Sequence, residues 1–175
     1  MSGLFEIASP DVLAKPYSLV ILGTLLIALQ YLVITYYIIK VRFGTFDGKF
    51  MKNFRDLHQE AFKSDPAKMG YPDMGCGVYG KRLEYKDWYR FNCAQRIHLN
   101  YLEGIILIML SALIAGIQNA RLVFGLQLAY MVGRALYSVG YMKGADYRIK
   151  GALIYQVSQL ACIVLAFRAA FSIVA

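Results

Sequence analysis

Three stretches of this chain carry almost no charge over lengths that match a lipid bilayer. Tyr17 to Ile39 is 23 residues with none, and Gln30 is its most polar member. Leu122 to Met142 holds one charge, Arg134, and Ala152 to Val174 holds one, Arg168. About 20 residues of helix cross the hydrocarbon core, and a helix satisfies its own backbone polar groups there. A fourth stretch, Phe91 to Ile117, has a 14-residue apolar run that spans only if its polar first half is included. These windows predict an all-α integral membrane four-helix bundle in one domain. Helices are expected at about 17–40, 88–117, 121–143 and 149–174, with a long polar loop at about 43–87. The first ten residues carry Glu6 and no basic residue, and the apolar run that follows is too long for a signal core. Residues 1–15 therefore read as a short, loosely held segment, and the first span as retained.

Charge then orients the helices. Eleven basic residues from Lys40 to Arg90 flank or fill the first loop, and Lys143, Arg148 and Lys150 fill the third. The opposite side has Lys15, Arg121 and Arg168. That asymmetry places the basic loops in the cytosol and both termini across the membrane. The net charge of +8 is thus chiefly a topology signal. Seven acidic residues interspersed in the first loop argue against a nucleic-acid partner. Cys76, Cys93 and Cys162 are widely spaced, odd in number, and match no metal or redox spacing.

Within the first loop, Phe54, Leu57, Ala61 and Phe62 recur at helical spacing, which predicts a short amphipathic helix over Asn53 to Phe62. Gly70 to Gly80 reads as irregular loop. A phosphate cradle there lacks the strand, helix and lysine context of such sites. Tyr85, Trp88 and Tyr89 suit the headgroup belt.

The chemistry lies on the second and third spans. At 100° per residue, Arg96, Asn100 and Glu103 fall within about 60° of one another and form a stripe about 10 Å long. His98 points nearly the opposite way. Arg134, Tyr137 and Tyr141 share a face of the next helix, and Arg148 follows on the side where Arg96 lies. Charges inside a bilayer are costly and usually face a bundle interior. Arginine forks suit carboxylates, and Glu103 suits an ammonium group. The set fits a small molecule with several carboxylates and one amine, with an apolar second reactant arriving from the lipid. Plainer roles compete: Arg96 and Glu103 neutralising each other between helices, His98 as a structural residue, Tyr137 and Tyr141 as interfacial aromatics, Arg134 as a helix anchor, Arg148 and Lys150 as topology charges.

The segments Phe-Asn-Cys-Ala-Gln-Arg-Ile-His-Leu-Asn-Tyr-Leu-Glu (91–103) and Val-Gly-Arg-Ala-Leu-Tyr-Ser-Val-Gly-Tyr (132–141) resemble the signatures of the membrane-associated eicosanoid and glutathione metabolism family. Within it the chain is most similar to the type three microsomal glutathione transferase branch, and less so to the leukotriene C synthase branch. The resemblance implies a homotrimer that binds glutathione between neighbouring protomers near the cytosolic face. By position, it implies that Arg96, Asn100, Glu103, Tyr137 and Tyr141 hold glutathione from one protomer and His98 approaches from its neighbour. Lys40 stands roughly where the family keeps an arginine, with Arg42 as the alternative. Arg148 matches the arginine proposed to stabilise the thiolate. The implied partners are glutathione, a lipophilic electrophile or lipid hydroperoxide, and membrane lipid, with no metal. The rival expectation is a catalytically silent accessory or lipid-binding subunit among other membrane subunits. Endoplasmic reticulum and mitochondrial membranes both remain open. Two departures stand out: Gly104 replaces an aromatic of the leukotriene C synthase branch, and the 43–88 loop is longer than in mammalian relatives.

Overall fold

In the computed structural model, residues 15–174 are described; the expectation for residues 1–14 falls outside them. Among the described residues there is helix and no strand. The long elements are α1 (Lys15–Thr45), α4 (Tyr85–Lys143) and α5 (Ile149–Val174), and the short ones between α1 and α4 are α2 (Gly48–Met51) and α3 (Arg55–Phe62). α1, α4 and the helical segment that ends in α5 are each long and apolar enough to cross a membrane.

α4 is 59 residues long but not straight: Asn119 leaves helical geometry at φ −132°, ψ 46°. The chain reverses there. The rings of Tyr101 and Tyr130 have centroids 6.1 Å apart, whereas 29 residues of straight helix would separate them by about 44 Å. The limbs 85–118 and 120–143 therefore form a helical hairpin. The next connection is equally brief, with a 3-10 turn at Ala145–Arg148 between Gly144 and α5.

The chain divides into two compact units, residues 32–100 and the remainder. In the larger unit apolar residues fill the core, as Val20, Ile27, Ile108 and Val123 do, but they also cover the outside, and large polar side chains are enclosed. Leu25, Leu29, Ile106, Val132, Leu153, Val157 and Val164 are exposed, while Gln127, Tyr101, Tyr130 and Arg134 are buried. That arrangement suits lipid as the surrounding solvent, where helices associate through small residues and hydrogen bonds rather than by excluding water. Gln127 Nε2 donates to Thr24 Oγ1 at 2.9 Å, Gln30 Nε2 to the Met131 carbonyl at 2.9 Å, and the Tyr101 hydroxyl to Gln30 Oε1 at 2.8 Å. Glycines set the closest crossing. A Cβ on Gly133 would lie 2.5 Å from the Tyr155 backbone nitrogen, and one on Gly151 would meet the backbone of Tyr137 and Gly133.

The smaller unit has its own aromatic core. Phe46 packs edge-on against Phe91 at 5.0 Å, Phe54 against Tyr79 at 4.7 Å, and Phe50 bridges Phe46 and Phe54. α1 continues past Lys40 to Thr45, because no helix breaker intervenes before Gly44. The amphipathic segment expected at 53–62 is helical over Arg55–Phe62, and its N-cap residue Phe54 is buried.

Candidate functional site

The site in the larger unit is built on the second limb of α4 and the turn that follows. Tyr137 and Tyr141 lie one helical turn apart with ring centroids 5.4 Å apart. The polypeptide then turns through Gly144, whose N–H donates to the Gly140 carbonyl at 3.1 Å. This brings Arg148 back beside α4, with its guanidinium carbon 5.4 Å from the Tyr141 ring centroid. Gly140 permits that return, since a Cβ there would meet the Tyr147 carbonyl.

Arg148 donates to the Ala145 carbonyl, which fixes one edge of the fork. Its acidic neighbour Asp146 is 3.9 Å away and fully exposed, so water screens the attraction and the pair holds the cation only weakly. A guanidinium steadied by a carbonyl and an aromatic face, with little compensating negative charge, is suited to receive an anion.

Deeper in the same unit lies an arginine set among phenols. Arg134 is 1% exposed. Its guanidinium carbon is 3.8 Å from the Tyr155 ring centroid and 4.6 Å from that of Tyr101, and its Nε donates to the Tyr130 hydroxyl at 3.0 Å. Tyr155 packs edge-on against Tyr137 at 5.5 Å. A continuous ladder thus runs from Arg134 through Tyr155, Tyr137 and Tyr141 to Arg148. Tyr101, Tyr130 and Tyr155 escaped the sequence reading. The usable signal was a phenol in the middle of an apolar span, where a hydroxyl needs a partner.

Of the residues singled out from sequence, Tyr137, Tyr141 and Arg148 meet in this unit. Glu103 also belongs to it and is exposed. Lys40, Arg96, His98 and Asn100 belong to the other unit, where Lys40 and Arg96 are exposed and His98 and Asn100 half-buried. The two cations near the end of α1 have different fates. Arg42 is 3% exposed, donates to the Met69 carbonyl at 3.2 Å, and lies 4.5 Å from the Tyr71 ring centroid and 4.9 Å from that of Phe91. It is committed to the fold of its own unit, whereas Lys40 is presented at the surface.

The glycine-rich segment 70–80 is ordered around a carboxylate. Asp73 Oδ1 accepts from the N–H groups of Gly75 at 2.7 Å and Gly77 at 2.9 Å, and Oδ2 from Gly80 at 2.8 Å. Burial alone would raise the Asp73 carboxyl, but the N–H groups of Gly80, Gly77, Gly75 and Tyr79 together hold it below its ordinary value. The amides that a phosphate would need are already bonded to the protein's own acid. Among the described residues, no group of three or more His, Cys, Asp or Glu side chains gathers as metal ligands would.

The chain is thus all-helical, with helices long and apolar enough to cross a membrane, and sets a half-buried arginine against a tyrosine beside a helical hairpin. The MAPEG family model matches residues 20–171, and the chain belongs to the MAPEG family. That family includes glutathione transferases and related enzymes.

Proposed function

We propose that the chain is a membrane-bound glutathione transferase with peroxidase activity, acting on lipophilic electrophiles and lipid hydroperoxides. The observation that carries this reading is Arg148, steadied against Tyr141 and little compensated by Asp146. A free thiol is mostly protonated at neutral pH, and its thiolate is the nucleophile. A cation beside the sulfur favours the ionised form, each unit of pKa being worth about 1.36 kcal/mol. Arg148 is assigned that role.

In the conjugation step the thiolate sulfur bonds to an electrophilic carbon and the leaving group departs with its electron pair. In the peroxidase step sulfur attacks the terminal hydroperoxide oxygen. The O–O bond breaks, glutathione becomes the sulfenic acid, and the alkoxide takes a proton to give the alcohol. Arg96, Asn100, Glu103, Tyr137 and Tyr141 are assigned to hold glutathione, with His98 contributed by a neighbouring protomer of a homotrimer and Lys40 offering a single-point contact to a carboxylate. The basic loops are assigned to the cytosolic face of an endoplasmic reticulum or mitochondrial membrane. Purified protein should show thiolate absorbance with glutathione and turn over an aryl halide or a lipid hydroperoxide. Absence of both would overturn the proposal.

One observation favours a second reading, a catalytically silent subunit of a larger membrane assembly. The segment between α1 and α4 is folded around its own aromatic core, more structure than a connection between two spans requires. Native purification separates the two. A homotrimer supports the enzyme, and a single copy co-migrating in a larger assembly supports the subunit.

A further inference from the structure

The smaller unit holds a cavity of about 520 Å³, lined by residues from Phe43 to Met69. Small-molecule sites commonly run from about 300 to 1,000 Å³. Its apolar surface includes Phe43, Phe46, Met51 and Met69, and its charged residues are Asp47, Lys52, Arg55, Asp65 and Lys68. The acids are engaged within the fold. Asp65 Oδ1 lies 2.9 Å from Arg55 Nε and also accepts from Gln59 Nε2 at 2.9 Å. Asp47 Oδ1 accepts the Phe50 N–H at 2.7 Å, capping α2. The Lys52 and Lys68 side chains are exposed and have no ion-pair partner among the described residues. The rim therefore carries one net positive charge, concentrated on two lysines above an apolar floor.

Position narrows the occupant. Phe43 lies in the last turn of α1, a helix apolar enough to cross a membrane. If α1 crosses the bilayer, the cavity opens beside the end by which that helix leaves it. A volume of this size matches sites that take one small ligand, which favours an amphiphile with one chain over a two-chain phospholipid. We infer that this cavity binds a single-chain anionic amphiphile, a long-chain fatty carboxylate drawn from the bilayer. Lys52 and Lys68 hold its head group, and Phe43, Met51 and Met69 line its chain. The site is separate from the Arg148 assignment, and its test needs no glutathione.

The full chain, reconstituted in neutral-lipid nanodiscs, is photolabelled with a diazirine palmitate and with the matching diazirine palmityl alcohol, and the labelled peptides are mapped by mass spectrometry. The carboxylate probe should label residues 43–69 and be displaced by unlabelled palmitate, with the alcohol labelling that segment much less. Replacing both lysines (Lys52→Ala with Lys68→Ala) should cut this labelling about tenfold, as two partly screened ion contacts imply. Phe43→Glu, at a position already 57% exposed, should cut it as well. Labelling confined to the membrane-spanning helices, labelling indifferent to the lysine pair, equal labelling by the alcohol, or displacement by phosphatidylserine but not palmitate would each overturn the proposal.

Discussion

The guanidinium of Arg134 occupies the space that a side chain at Gly104 would need: a Cβ built there would lie 2.7 Å from Arg134 Nη2. The two limbs of α4 meet at this point, on either side of the turn at Asn119. Substitutions at the glycines of this unit should therefore rank by what the new methyl meets. In Gly104→Ala the obstacle is the end of a side chain, and the helix propensity gained, about 1 kcal/mol, offsets part of the strain. In Gly151→Ala the obstacle is the backbone of Tyr137 and Gly133, which cannot rotate away. Gly151→Ala should lose about 1–3 kcal/mol and Gly104→Ala clearly less. Unfolding midpoints in detergent, measured side by side, check the order; equal midpoints would refute it.

Arg148→Ala should slow turnover by about two to three orders of magnitude while leaving much of the glutathione binding, as the loss of one electrostatic donor (~2.7–4 kcal/mol) implies. Arg148→Lys should recover part of the rate, because the point charge is restored without the planar fork. Thiolate absorbance and single-turnover rates report the two effects separately. Unchanged turnover in the alanine variant would remove the assignment.

Tyr141 supplies a face to Arg148 rather than a hydroxyl, on the geometry of their contact. Tyr141→Phe should therefore preserve the Arg148 setting, and Tyr141→Leu should weaken it by about 0.5–1 kcal/mol. The pH at which bound glutathione ionises should rise in the leucine variant and hold nearly constant in phenylalanine. A shift of the same size in both would show that the hydroxyl matters instead.

Asp73 makes the 70–80 segment acid-sensitive. Its folded-state pKa is depressed, so its contribution is present above the unfolded value, near 3.9, and is lost as pH falls through the lower folded value. Amide protection at Gly75, Gly77 and Gly80, measured against the intrinsic exchange rate at each pH, should fall below about pH 4. Asp73→Asn should open the segment even at neutral pH, because the acid's two oxygens both accept and an amide turns a donor towards one of the N–H groups. Leaving one buried donor unmet costs about 1–3 kcal/mol. Exchange that stays slow in the variant would contradict this.

Much of the helical framework was readable from the chain alone. Uncharged runs such as Tyr17–Ile39 declare themselves because lipid offers no partner to a backbone polar group. The face shared by Arg134, Tyr137 and Tyr141 was also readable, since helical periodicity is local. The tyrosines that surround Arg134 were not. Tyr101 and Tyr155 sit in different spans, and nothing local says that they stack on one guanidinium. Lys40 and Arg42 are two residues apart and alike in charge. Only the packing of Met69, Tyr71 and Phe91 distinguishes the cation that is enclosed from the one that is presented.

By itself, the order of residues determined that this is a helical chain, which stretches are long and apolar enough to cross a membrane, and which family it joins, because apolar runs and helical pitch act over neighbouring positions. Tertiary structure alone decided that the glycine-rich segment wraps an aspartate, that one arginine is ringed by phenols, and that a cavity with two lysines at its rim sits beside the end of α1. Those outcomes depend on contacts between residues tens of positions apart, which chain folding brings together and local pattern cannot express.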